Sequence, residues 1–170
     1  MKIEIKAAGR LSRRENALLG RLLDEAFAQE NESLTWSNSD WHVLVWEGEQ
    51  LACQVGIVVR SSLVGGKPVK LGGIGGVATG SAWRNRGLAG AAMLEAQRFM
   101  DAELAVDFGL LVCGEEKIRS YGRLGWKSVG RTMLVDQPSG KVPYTGPILI
   151  LPVRRTDWPE GEIDLCSLPW

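Results

Sequence analysis

The chain has 170 residues, and its 20 Lys and Arg residues balance its 20 Asp and Glu residues. This length suits a single domain, residues 1–170, with a sizeable hydrophobic core. Because the net charge is zero, no overall electric field favours nucleic acid or an anionic membrane, and we expect neither as a partner.

Three widely spaced cysteines, Cys53, Cys113 and Cys166, accompany one histidine, His42. This pattern argues against a disulfide framework and against a zinc site, so we expect no metal. The N-terminus alternates charged and apolar residues instead of forming a signal peptide, and no apolar run approaches bilayer length. The sequence therefore predicts a reduced, cytoplasmic protein.

Residues 1–8 alternate Ile with Lys and Glu, which predicts a half-buried strand. Ser12 and Glu15 have the spacing of a capping box, which marks the start of a helix. The apolar face of that helix comprises Leu18, Leu19, Leu22, Leu23, Ala26 and Phe27. The polar residues 28–40 predict a loop with room for a short helix.

Three successive strands are predicted at residues 41–47, 50–61 and 69–79, separated by glycine-containing turns. Such a run predicts an antiparallel meander. Helices are predicted at residues 88–100 and 115–124, and strands at 105–114, 131–136 and 145–153. Gly125 is a natural left-handed helix end. The order predicts an α/β (α+β) fold whose mixed, mostly antiparallel central sheet of about six to seven strands is flanked by helices.

The start of the helix at residue 88 has the composition of an anion site. A helix N-terminus presents free backbone N–H groups and the positive end of the helix dipole. Gly87 lets an anion approach the backbone, and Arg84 and Arg86 add guanidinium groups that suit phosphate oxygens. We therefore predict that this turn binds a pyrophosphate. The alternative is that the two arginines are solvated loop residues.

Gly73, Gly75 and Ala78 match the G-x-G-x-x-A fingerprint of dinucleotide-binding folds. That fingerprint requires a helix that opens within the motif. Here the predicted strand continues through the motif, so we reject a dinucleotide-binding fold.

Two motifs resemble those of the GNAT acetyltransferases. Residues 84–89, RNRGLA, resemble the R/Q-x-x-G-x-G/A signature, and residues 121–126, YGRLGW, resemble the Y-x-x-x-G-F/W element. The predicted element order also matches that family over nearly the whole chain. The resemblance implies a GNAT fold, acetyl-CoA as cosubstrate, N-acetylation of a primary amine of a small molecule, and a homodimer.

The resemblance also implies roles for particular residues. Tyr121 corresponds to the tyrosine that protonates the departing thiolate. Pantetheine would pair with the strand at Val77, Ala78 and Thr79. The pyrophosphate would lie on Arg84, Asn85, Arg86, Gly87, Leu88 and Ala89.

The sequence departs from the family pattern at two positions. Gly75 lies in the stretch where many relatives carry a catalytic glutamate, and Gly114 replaces a common asparagine. Candidates for the missing base are Asp40, His42 and Glu47, with ordered water as an alternative.

One branch, the aminoglycoside 2'-N-acetyltransferases, shares "SDWHVLVW" at residues 39–46, "ILPV" at residues 150–153 and a final tryptophan. In that branch the terminal tryptophan carboxylate binds the aminosugar, but two acids expected there are absent at Gly75 and Leu168. The predicted acceptor site comprises Trp36, Asp40, Trp41, Asp164 and Trp170, with Trp158 as a further candidate. The alternative for the tryptophans is core packing.

Three other functions stay open from the sequence. They are a non-catalytic acyl-CoA-binding or regulatory module, an N-acyltransferase with a longer acyl donor, and a structural interaction protein.

Overall fold

The protein is described by a computed structural model that covers residues 1–30 and 33–170. The loop predicted at residues 28–40 falls partly on residues 31 and 32, which lie outside the described residues. Residues 33–40 form no helix.

A strand and a capped helix open the chain, as predicted. β1 spans Lys2–Ala7 and α1 spans Arg13–Phe27. The Glu15 backbone N–H donates to the Ser12 hydroxyl at 3.1 Å, and the Ser12 N–H donates to the Glu15 carboxylate at 2.8 Å. This reciprocal pair satisfies two N–H groups that the first helical turn leaves free.

The predicted antiparallel meander is confirmed. It comprises β2 (Trp41–Glu47), β3 (Gln50–Val64) and β4 (Lys67–Thr79). Residues 73–78 lie inside β4, so the G-x-G-x-x-A match does not open a helix.

The second half of the chain contains two helices and six strands. They are α2 (Leu88–Ala102), β5 (Phe108–Val112), α3 (Ile118–Gly122), β6 (Lys127–Ser128), β7 (Met133–Gln137), β8 (Gly140–Tyr144), β9 (Ile148–Pro152) and β10 (Ile163–Asp164). Gly125 follows α3 with a φ of 96°, which confirms the left-handed turn.

The described strands form one mixed sheet in the order β6-β9-β5-β4-β3-β10-β7-β8, and β2 pairs with β3 and with β1. Only the β4–β5 and β10–β7 pairs among these are parallel. The predicted fold is confirmed, although the sheet has ten strands. β3 is long enough to pair with β2 along its first half and with β10 near its end.

Two helices cover opposite faces of the sheet. Val43 and Val45 belong to the core cluster beneath α2, whereas Leu44 between them belongs to the cluster beneath α1. This alternation follows from the two-residue period of a strand. A third buried cluster includes Phe108 and Trp170.

β4 and β5 pair only from Leu71 opposite Phe108 to Ile74 opposite Leu111. β4 then continues to Thr79, paired with β3 alone among the described strands. We call the gap between residues 75–79 and residues 112–114 the β4–β5 opening. At its end the Thr79 carbonyl accepts a hydrogen bond from Arg84, which precedes α2.

Candidate functional site

The start of α2 is an open backbone surface. Gly87 is the N-cap residue, has a φ of 75° and offers no side chain to cap the helix. A Cβ atom placed on Gly87 or on Gly90 would meet no atom within 4 Å. The first N–H groups of this helix therefore face space that a ligand can enter.

Two exposed arginines flank this surface. The Arg84 Nε–H donates to the Thr79 carbonyl at 3.3 Å, and the Arg86 guanidinium lies 4.9 Å from the centre of the Trp83 ring. The first turn of α2 contains no acidic residue. Residues 84–87 and the start of α2 thus have the charge and the space that a pyrophosphate requires, so acetyl-CoA fits the residues present.

The edge of β4 at the opening has backbone groups for an extended ligand. Ala78 pairs with Gln54 and Thr79 pairs with Cys53 on the β3 side. The described strands provide no partner on the other side of residues 75–79. An extended arm could therefore add to this edge as a further strand would.

Tyr121 lies beside the opening. Burial, together with the nearby Cys113 and Cys53 thiols, raises the pKa of Tyr121 to about 12. Tyr121 packs against the core cluster that contains Ile74 of β4 and Leu111 of β5, the last pair before the opening. The phenol is therefore neutral, and able to donate a proton, well above neutral pH.

Trp170 covers the β4 glycines on one face of the sheet. Its buried indole Nε1–H donates to the Leu110 carbonyl at 3.1 Å. A Cβ on Gly73 would overlap that indole, and a Cβ on Gly75 would lie 2.8 Å from the main-chain carbon of Trp170. The space that a side chain at residue 75 would need is thus filled by the main chain of Trp170.

Gly73→Ala is therefore expected to destabilise the fold by about 2 kcal/mol, because the indole must move. Urea unfolding of the variant measures this loss. Gly20→Ala is the control, since a Cβ at residue 20 of α1 meets nothing within 4 Å and should stabilise the helix. Equal stability of Gly73→Ala and wild type would contradict the position of Trp170.

The three base candidates lie in different surroundings. The Asp40 carboxylate accepts from Arg60 Nη1 at 2.7 Å and from the Val59 N–H at 2.9 Å. His42 Nδ1 lies 3.0 Å from Gln54 Oε1 in the buried interior. Glu47 lies at the far end of β2, about 16 Å from His42 at the usual strand rise. The identity of the base stays a prediction.

The predicted acceptor residues have different immediate contacts. Trp41 packs edge-on against Phe99 of α2, with ring centres 4.9 Å apart. Asp164 forms an ion pair with Lys141 at 2.8 Å. Trp36, in contrast, is 39% exposed and lines a cavity.

This cavity of about 330 Å³ lies between the loop before β2 and the turn after β8. Its lining comprises Ser33, Leu34, Trp36, Pro143, Tyr144, Thr145 and Gly146. The sequence analysis missed Tyr144, although it is one of only two tyrosines in the chain. Burial, then the Cys113 thiol and the Glu30 carboxylate, raise the pKa of Tyr144. The Cys113 backbone N–H donates to the Pro147 carbonyl at 3.3 Å, next to Gly146 of the lining, so the cavity lies near the β4–β5 opening.

Acidic groups surround the same end of β5. Glu116 and Glu115 contribute, after burial, to the raised pKa of the Cys113 thiol. The carboxylate of Glu116 also occupies the space beside Gly114 where the family asparagine would extend. Two carboxylates therefore lie at this end of the β4–β5 opening.

Two further observations concern possible partners. Within the described residues, none of the helices is long and apolar enough to cross a membrane. The same part of the chain brings together no group of three or more His, Cys, Asp or Glu residues that could hold a metal ion.

Comparisons with known proteins agree with this geometry. A family model described as an acetyltransferase (GNAT) domain matches residues 11–129. No curated protein matches the chain. The matched range includes the start of α2 and Tyr121 but not the cavity residues 143–146.

Several solved structures share the fold. A GNAT family acetyltransferase from Brucella melitensis, in complex with acetyl-CoA, has a TM-score of 0.66 and 15% identity over 95% of this chain and 94% of that chain. Escherichia coli ElaA has a TM-score of 0.61 and 15% identity over 88% of this chain and 98% of that chain.

A probable N-acyltransferase from Enterococcus faecalis has 22% identity and a TM-score of 0.59 over 75% of this chain and 33% of that chain. The present chain thus spans about a third of that protein. At these identities the likeness establishes the fold. Because the family model covers most of the sequence, the chain belongs to the GNAT acetyltransferase domain family and is an acyltransferase.

Proposed function

We propose that this protein transfers the acetyl group of acetyl-CoA to a primary amine of a small molecule. The observation that carries the proposal is the open start of α2, flanked by two arginines, at the end of a strand edge that lacks a partner among the described strands. Acetyl-CoA supplies the activated acetyl group. The residues of the chain bind it, exclude water and move protons.

The start of α2 holds the pyrophosphate in this proposal. Arg84, Asn85 and Arg86 approach it from the preceding loop, and the backbone N–H groups from Gly87 to Ala89 donate to its oxygens. Val77, Ala78 and Thr79 pair with the pantetheine arm through backbone groups. The donor carbon is thereby brought to the β4–β5 opening.

Tyr121 acts as the general acid in this proposal. The departing thiolate needs a proton, and a phenol whose pKa is about 12 holds one at neutral pH. The two thiols near Tyr121 are those of Cys53 and Cys113, and burial raises the pKa of each. Both thiols therefore stay protonated at neutral pH.

The acceptor amine enters through the cavity beside Trp36 and Tyr144. The two aromatic rings suit a flat apolar face or a sugar ring, and the nearby carboxylate of Glu116 favours a cationic amine. Asp40 and Asp164 already have cationic partners in Arg60 and Lys141. This charge balance favours a compact amine with one or two cationic groups, such as an aminosugar, over a highly charged aminoglycoside.

A two-stage experiment tests the proposal. Coenzyme A should first raise the melting temperature, since a ligand that binds only the folded state stabilises it. Release of free thiol from acetyl-CoA should then depend on an added amine, in a panel of aminosugars, aromatic amines, polyamines and aminoglycosides. Stabilisation without amine-dependent release would instead support a non-catalytic binding module. No stabilisation at all would reject the coenzyme.

Trp36→Ala tests the acceptor cavity. The loss of one aromatic wall should raise KM for the best amine about 10-fold without changing the affinity for coenzyme A. Trp36→Phe is the matched control, because it keeps a ring at the same place and should retain most of the affinity. An unchanged KM in Trp36→Ala would place the acceptor elsewhere.

A further inference from the structure

β4 contains a bulge where it lines the opening. Gly75 lies opposite Gly56 and Ala78 lies opposite Gln54, so β4 advances by three residues while β3 advances by two. Gly76 has a φ of 57°, which a glycine adopts without strain. The extra residue falls at Gly76 and Val77, at the start of the segment that faces the coenzyme in the proposed function.

Two buried polar side chains hold this bulge. The Gln54 side chain is 1% exposed, and its Nε2–H donates to the carbonyl of Gly76. Its Oε1 lies 3.0 Å from Nδ1 of His42, which is 8% exposed. Burial of two polar side chains costs free energy unless they are hydrogen-bonded. Here each has a partner, and the chain of bonds ends on the backbone of the bulge.

The direction of these bonds is fixed. The Gly76 carbonyl only accepts, so the amide nitrogen of Gln54 must face it and the amide oxygen must face His42. That oxygen also only accepts, so Nδ1 of His42 carries a proton. In the neutral ring Nε2 is then unprotonated, which is the less common tautomer in free histidine.

The same hydrogen bonds fix the direction of one backbone N–H group, that of Val77, at the opening. In a trans peptide the C=O and the next N–H point in opposite directions, so the Gly76 carbonyl determines the direction of the Val77 N–H. Val77 lies beyond the last β4–β5 pair, where no described strand takes up that edge. We infer that Gln54, oriented by His42, is a positioning residue that holds the Val77 N–H toward the thioester carbonyl. This inference rests on the proposed function.

Gln54→Leu tests the inference because it should lower kcat without changing the affinity for coenzyme A. The variant loses the bond to Gly76, so kcat should fall about 10-fold or more, while the affinity for coenzyme A, set mainly at α2, stays unchanged. His42→Asn should retain most of kcat if His42 acts only by orienting Gln54, because its side-chain amide can donate where Nδ1 does, whereas a catalytic base at His42 would be lost in this variant too. His42→Leu should behave like Gln54→Leu.

The outcomes separate this inference from the proposed function. If the wild type shows no amine-dependent thiol release, the proposed function fails. If the wild type is active and Gln54→Leu has the same kcat, the positioning role of Gln54 is rejected while the proposed function stands. A loss of coenzyme affinity equal to the loss of rate would also overturn it, since a general structural defect would produce that result.

A spectroscopic test requires no variant. His42 is the only histidine, so a long-range ¹H–¹⁵N spectrum contains one imidazole. At a pH near 9, where a histidine ring is ordinarily neutral, Nδ1 should give the shift of a protonated nitrogen and Nε2 that of a bare one. The opposite assignment in the wild type would overturn the directed chain from His42 to Gly76.

Discussion

Gly90→Asp is expected to weaken coenzyme binding about 100-fold while it stabilises the protein. Gly90 is the third residue of α2, and a side chain there meets no atom within 4 Å. A carboxylate in the first turn interacts favourably with the helix dipole, and replacement of a helical glycine raises helix propensity. Together the two effects should raise the free energy of unfolding by about 0.5 kcal/mol. The same charge would repel a pyrophosphate by about 3 kcal/mol, which corresponds to about a 100-fold loss of affinity.

Isothermal titration with coenzyme A and thermal unfolding measure the two effects. Gly90→Asn is the matched control, because it has nearly the same shape without the charge and should bind far better than Gly90→Asp. Opposite changes in stability and affinity would be hard to explain by misfolding. Full affinity in Gly90→Asp would place the pyrophosphate away from α2.

Tyr121→Phe is expected to lower kcat about 100-fold and to leave coenzyme affinity unchanged. The substitution removes only the hydroxyl, so the ring still packs against the core cluster that includes Trp126. Steady-state rates of thiol release, with coenzyme affinity measured in parallel, test this result. A kcat equal to that of the wild type would remove the acid role.

The pH dependence of the wild type provides a second check on Tyr121. Because burial raises the pKa of this phenol to about 12, the acid should stay protonated when an ordinary tyrosine, with a pKa of about 10, has lost half of its protons. The decrease in kcat that follows deprotonation of Tyr121 should therefore be centred about two pH units above that of an ordinary tyrosine. A decrease centred near pH 10 that is absent from Tyr121→Phe would show an unshifted phenol.

Local patterns predicted the elements that they directly encode. The capping box of Ser12 and Glu15 marks the start of α1, and the alternation around Leu44 gives the two faces of β2. Gly87 and the two arginines predicted an anion site because helix N-termini attract anions wherever they are exposed. These features depend on residues close together in sequence, so a single chain reveals them.

Features that depend on distant residues were not predictable in this way. β8 was hidden in a region rich in proline and glycine, and β6 and β10 have two residues each. Their pairing partners lie far away along the chain, so no local period marks them. The glycine run of β4 does not reveal its partner locally, because Gly73 and Gly75 make room for the distant Trp170.

The residues of the proposed acceptor site also depend on contacts between distant parts of the chain. Tyr144 contributes to a cavity with Trp36 only because the turn after β8 folds against the loop before β2. Trp41, a predicted acceptor residue, packs on Phe99 of α2. Composition identifies tryptophans as candidates, but only the tertiary fold decides which of them line a cavity.

The most direct test of the account is an amide ¹H–¹⁵N titration of the wild type with coenzyme A. The largest shifts should occur at the N–H groups of residues 87–91, with smaller ones along residues 77–79, and inorganic pyrophosphate should shift the first set alone. Shifts confined to other parts of the protein, with residues 87–91 unchanged at saturation, would contradict it.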